Sequence, residues 1–168
     1  MFKLSFLSLL LVTSFASAEE ARRANAHVHG LNNLSMVISQ NQVAISYEMP
    51  IVQLLDDHAD HDDHDELTVS DETLATFNNY SQLFELPKGA GCHLTSFESG
   101  LHSVSTEGDH KDVELSYEFA CSNPSQLKSL TINAFDRFSE LETLNFEAVI
   151  NNKALTKSLK SDVNKVIF

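Results

Sequence analysis

Residues 111–121 read Lys-Asp-Val-Glu-Leu-Ser-Tyr-Glu-Phe-Ala-Cys. Val113, Leu115, Tyr117, Phe119 and Cys121 fall on one side of an extended chain, and Asp112, Glu114, Ser116 and Glu118 fall on the other. Side chains alternate with a period of two along a strand, so the pattern predicts a strand with one face in a core and one in water. Upstream, Cys92 opens a second strand-like segment. If the two segments pair as an antiparallel hairpin with Cys92 opposite Cys121, the midpoint falls at Thr106-Glu107. Gly108 and Asp109 then put turn chemistry beside that midpoint. Two cysteines in an exported chain read as a disulfide, which would staple the hairpin and help a small core. Zinc ligation by both thiolates is the alternative.

Working outward, residues 31–39 and 42–49 alternate in the same way around a polar turn at Gln40-Asn41, and predict another hairpin. Pro50 closes its second strand, and a short helical turn over residues 50–57 would turn Ile51, Leu54 and Leu55 inward. Ser70 is a good N-cap, Asp71 and Glu72 suit the positive end of a helix, and Leu74, Phe77, Tyr80 or Ser81, and Phe84 recur at helical spacing. Leu86-Pro87 ends that helix, and residues 88–91 form a turn. Beyond Asn123-Pro124 the expectation is a strand at 128–132, a short helix at 135–141 and a strand at 143–150. Asn151-Asn152 is a turn, and the tail can add another strand. The fold class expected is α+β: mostly antiparallel sheet with one main helix and a disulfide-stapled hairpin.

The chain starts Met1-Phe2-Lys3, followed by an apolar run over residues 4–15 and Ala16-Ser17-Ala18. That is the pattern of a signal peptide (1–18) cleaved after Ala18, with export to the periplasm as the consequence. The apolar run is too short for the roughly 20 residues of a spanning helix, so no stable membrane insertion is expected after cleavage. The remaining part, 19–168, has about 150 residues, enough for a single metal-binding domain with its own core. Twenty-four acidic residues against 11 basic ones give a formal net charge of −13. Such a surface repels nucleic acid and anionic lipid and attracts cations.

The eight histidines are unevenly placed. His27 and His29, in Ala26-His27-Val28-His29-Gly30, stand at i and i+2, which on a strand presents two imidazoles to one side. His58, His61 and His64 recur every third residue in the His/Asp-rich loop at 56–66, with carboxylates in the gaps. Imidazole nitrogen suits zinc, copper and nickel, and carboxylate oxygen can complete the shell. The same stretch reads more blandly as a solvated acidic loop, a reading that leaves its repeated histidines unexplained. It lacks the glycine and ligand spacing of a calcium EF-hand. A third set lies near the predicted hairpin tip, where His110 and Asp112 again stand at i and i+2, with His102 on the facing segment. His93 reads as a strand residue beside Cys92.

The sequence contains no His-Glu-x-x-His helix motif, no Gly-x-Ser-x-Gly elbow and no phosphate-binding glycine loop. A zinc enzyme also needs an open coordination position with a base beside it. The expectation is therefore a binding protein and not an enzyme.

Several of these stretches together carry a family resemblance: residues 26–30, Leu86-Pro87 through Gly91-Cys92, His110-x-Asp112 leading into Tyr117-x-Phe119-x-Cys121, and Phe135-Asp136-Arg137-Phe138 followed by Leu141-Glu142. With them the chain resembles the ZrgA-type family of zinc-regulated periplasmic zinc-binding proteins. The resemblance implies Zn2+ as the bound ion and a role assisting a zinc ABC importer under zinc limitation. The solute-binding component of that importer would be the receiving partner. It carries His27, His29, His110 and Asp112 over as metal-site positions. The chain departs from the family pattern in having Arg22, Arg23 and Asn25 ahead of the first motif, and a short insertion at 56–66. Two rival functions use the same residues differently: a copper or nickel handler, and a secreted structural domain without metal.

Overall fold

The computed structural model describes residues 31–54, 69–103 and 111–168. Strand β1 (Leu31–Ser39) and strand β2 (Gln42–Pro50) form the expected first hairpin around Gln40, which adopts a positive φ of 56°. A 3-10 turn, Ile51–Leu54, follows at once and buries Ile51. Strand β4 (Cys92–Ser103) pairs antiparallel with strand β5 (Lys111–Cys121), with Cys92 directly opposite Cys121 and the two joined as a disulfide. A bulge between Leu94 and Ser96 displaces the register by one residue, so that the backbone of His102 pairs with that of Asp112. Gly91, just ahead of Cys92, sits at φ 58°, and a side chain there would collide with the Ser122 hydroxyl. Only glycine takes that left-handed turn into β4 without strain.

Strand β7 (Thr143–Ile150) and strand β8 (Lys153–Leu159) make a third hairpin, turned by Asn151 and Asn152, both at positive φ. That is the backbone of a two-residue hairpin loop, which asparagine tolerates. The three hairpins join in one six-stranded sheet ordered β4-β5-β2-β1-β7-β8. All its pairings are antiparallel except β1 with β7, which run parallel. A second sheet, ordered β3-β6-β9, is built from β3 (Phe84–Glu85), β6 (Ser129–Ile132) and β9 (Lys165–Ile167).

The expected α+β class with one main helix is corrected by this arrangement. The described residues form nine strands in two sheets, and helix is confined to short pieces. Ser70 does cap α1 (Asp71–Ala75), accepting from the Thr73 amide, but the α-helix stops after five residues. The chain then tightens into 3-10 turns, with Asn79 N–H donating to the Thr76 carbonyl and Leu83 N–H to the Tyr80 carbonyl. Leu74, Phe77, Tyr80 and Leu83 recur every third residue, a spacing that a 3-10 winding satisfies as well as an α-helix does. Thr76, Asn78 and Asn79 are poor helix formers, and Phe84 is drawn into strand pairing with Ile132. The second expected helix shrinks to α2 (Ala134–Arg137).

The core lies between the two sheets. Leu34 and Met36 of β1, Ile45 and Met49 of β2, Leu115, Tyr117 and Phe119 of β5, and Phe146 of β7 are buried on one face of the large sheet. Phe84 of the small sheet meets Tyr117 and Phe119 edge-on, with ring centroids 5.3 and 6.2 Å apart. Tyr80 adds an edge contact with Phe119 at 4.8 Å. Each such ring, taken out of water, contributes roughly 1.5–3 kcal/mol. Tyr117 also donates its hydroxyl to the Phe77 carbonyl at 2.9 Å, tying β5 to the 3-10 segment above it.

The expected signal peptide at 1–18, the expected turn at 106–109 and the His/Asp-rich stretch at 56–66 lie outside the described residues. No helix among the described residues is long and apolar enough to cross a membrane. The disulfide closes a chain separation of 29 residues. Replacing both cysteines by alanine should cost about 3.5 kcal/mol by the chain-entropy estimate. The check is urea unfolding of the double variant against the oxidised wild type, read as a lower midpoint with a steeper slope, because the unlinked unfolded chain exposes more surface.

Candidate metal centre

Asp112 is the one predicted metal ligand within the described residues. His27, His29, His58, His61, His64 and His110 lie outside them. Among the described residues no three His, Cys, Asp or Glu side chains gather closely enough to hold a metal. What the fold does specify is where the chain hands over to each histidine-bearing stretch.

Because β1 and β2 are antiparallel, the start of β1 lies at the same end of the sheet as the close of β2. Pro50, the last residue of β2, pairs with Asp112 of β5, and Asp112 pairs with His102 of β4. Thr143 opens β7 beside Leu31, since that pair runs parallel. The same sheet end therefore carries Leu31, which follows His29 by two residues, and the β4–β5 strand ends that lead to and from His110. The 3-10 turn Ile51–Leu54 is attached there as well, and packs against β2 and β5 just before residues 55–68 begin. Three stretches far apart in sequence thus depart from one rim. His93 sits at the other end of β4, exposed beside the disulfide.

Alternation alone put Asp112 on the polar face of β5 with Glu114 and Glu118. It keeps that parity, but it is only 3 % exposed, whereas Glu114 and Glu118 are open to solvent. A carboxylate held this far from bulk water is costly unless hydrogen bonds or positive charge favour it, so it is a fixed group and not a surface charge. Two further carboxylates stand one step along the same face. Glu48 and Glu114 are register partners across β2 and β5. Ser46 donates its hydroxyl to Glu114 at 2.9 Å, and Asn33 donates its amide to Glu48 at 3.3 Å. Asn145 in turn donates to the Asn33 carbonyl oxygen at 3.2 Å. These contacts hold the carboxylates upright on the face next to the rim. Sequence reading missed Glu48 as their neighbour because the pairing of β2 with β5 joins residues from separate hairpins.

The opposite, core-facing side of the rim holds a second feature that sequence reading missed. Asn32 is fully buried and donates its amide to the Tyr47 hydroxyl oxygen at 2.6 Å. Burial pushes the Tyr47 hydroxyl well above the ordinary phenol range, with the Asn32 hydrogen bond offsetting a smaller part. Burial likewise raises Tyr117, and the nearby Tyr47 adds to the effect. The only sequence signal for Asn32 was a polar residue on the apolar parity of β1.

Both phenols therefore stay protonated in the folded chain at pH values where the unfolded chain ionises them. Their contribution to stability is complete below about pH 10 and declines as pH rises above it. Thermal unfolding followed across the range of about pH 8–11 should show that decline, and Tyr47→Phe should flatten it.

No curated protein matches this chain. A family model described as ZrgA family zinc uptake protein matches residues 26–168. All eight histidines, the disulfide and the whole of both sheets fall inside the matched span. The chain belongs to the ZrgA family of zinc uptake proteins.

Proposed function

We propose that this protein captures Zn2+ at the β1–β2–β4–β5 rim and assists its uptake by passing it to a zinc importer. The observation that carries the reading is topological. The strand ends leading to His27 and His29, to His58, His61 and His64, and to His110 share one sheet end, which also holds the buried carboxylate of Asp112. Membership of a zinc uptake family supports the choice of ion. Imidazole nitrogens with one carboxylate oxygen form a normal zinc shell.

The capture has two tiers. His27, His29, His110 and Asp112 make the tight site, and His58 is close enough in sequence to the end of the 3-10 turn to join it. His61, His64 and the neighbouring aspartates form a weaker collecting set, because ordering a polar, low-complexity stretch around a metal costs conformational entropy. The protein works by binding and release and performs no catalysis. It acts in the periplasm after loss of its leader at Ala18, and the receiving partner is the solute-binding component of an ABC importer. The disulfide and the acidic surface suit that compartment and cargo.

Calorimetric titration of the metal-free mature chain with zinc should resolve a tight and a weak component. His27→Ala with His29→Ala should abolish the tight one, and its survival would remove the proposed site. Deleting residues 57–66 should abolish the weak component alone, and loss of all binding would refute the two-tier scheme. Affinity should fall as pH drops below about 6.5, since ligating imidazoles must shed their protons.

A further inference from the structure

The six-stranded sheet has two edges, β4 and β8, and they are built differently. An edge strand presents a row of unpaired N–H and C=O groups, and chains that stay apart guard it with lysine, proline or a bulge. β8 is short and carries Lys153 and Lys157, with Lys160 just beyond its end. β4 has twelve residues, among them no lysine, arginine or proline. Its bulge, between Leu94 and Ser96, interrupts only the half next to the disulfide. The other half, from Phe97 to Ser103, runs in unbroken register with β5. Among the described residues, no backbone hydrogen bond reaches that half from anything but β5. α1 packs against β4 without supplying one.

Two residues in this open half answer to nothing in the described fold. Gly100 pairs with Glu114 in the ladder and does not take the positive φ that calls for glycine. A Cβ added there would meet nothing within 4 Å, so no neighbour requires its absence. Glycine inside a strand weakens it, and it marks places where another backbone comes close. Leu101 pairs with Val113 on the core-facing side, yet it is 44 % exposed. The stretch is also poor in like charge. Glu98 is its one acidic residue, on a chain whose net charge is −13.

We propose that the outer edge of β4 is a pairing surface for a second copy of this chain. The two β4 strands meet antiparallel about a twofold axis at Gly100 and join the two large sheets edge to edge. Such an axis brings the same patch of both copies together, so the patch must match itself. This one does. Gly100 lies opposite Gly100 of the second copy, where neither backbone is held off by a side chain. Leu101 of each copy lies opposite Ser99 of the other, and the pairing covers its exposed flank. Glu98 of each falls opposite His102 of the other, so each acidic residue meets one able to carry a proton, and not a second acid. That self-matching singles out a second copy over an unrelated strand. The pairing does not depend on zinc capture.

Sedimentation velocity of the oxidised mature chain, with a chelator present and over a wide range of concentration, tests the proposal. The wild type should pass from monomer to dimer as concentration rises. Hydrogen exchange at the amides of residues 97–103 should slow in step. Gly100→Lys has open space for its side chain and should keep the thermal stability of the monomer, but it should lose the dimer. Leu101→Lys should lose it as well. Thr156→Lys, on the β8 edge, should dimerise like the wild type. A monomer at every concentration would overturn the proposal, whether the edge amides then exchange freely or are shielded by a segment of the same chain. So would a dimer that survives Gly100→Lys, or one lost in Thr156→Lys.

Discussion

The burial of one face of β5 is the constraint on which the rest of the structure depends. β5 lies between β2 and β4, so both of its edges are used in pairing. Its core-facing side chains, from Val113 to Cys121, receive the aromatic residues of the smaller sheet and of the 3-10 segment. A slip of one residue would exchange Tyr117 and Phe119 for Glu118 and Ser116 in the core, so the register is fixed by hydrophobic burial before the disulfide is made. Cys92 and Cys121 meet because that register brings them opposite each other. The same register sets Asp112 at the far end of the strand, beside the close of β2 and the end of β4.

Where structure follows from local periodicity and turn chemistry, the sequence was readable. The β1–β2 hairpin, the β4–β5 hairpin with its bridge, the β7 strand and the asparagine turn after it are each specified by alternation bounded by polar turn residues. What was not readable depends on long-range choices. The parallel pairing of β1 with β7 joins segments about a hundred residues apart and leaves no mark on either. The two-residue strand β3 is a strand only because Ile132 lies beside it. The lost helix after Ser70 failed for a different reason: apolar residues spaced by threes serve two windings, and the local residues favoured the tighter one. Of the candidate site, only Asp112, singled out by its His-x-Asp spacing, falls within the described residues. Its depth of burial, and that of the Asn32 amide on the other face of the sheet, follow from packing that no spacing rule describes.

The rim separates two kinds of polar chemistry across the thickness of one sheet. On the solvent face, Glu48 and Glu114 stand side by side, braced by Asn33 and Ser46. Neighbouring like charges are mildly unfavourable in a sheet, and a nearby dication relieves them. On the core face, Asn32 and Tyr47 form a neutral pair in a low-dielectric setting, where a single hydrogen bond has more directional force. The acidic outer side attracts cations, while the neutral inner pair is part of the packed core.

The parallel partnership of β1 and β7 also governs when the molecule can fold. Leu31–Ser39 sits in the middle of the large sheet, yet one of its two neighbours is not synthesised until residue 150 has left the ribosome. Contacts of such high sequence separation form late and slow folding. Until then the nascent N-terminal portion has no finished sheet to settle into.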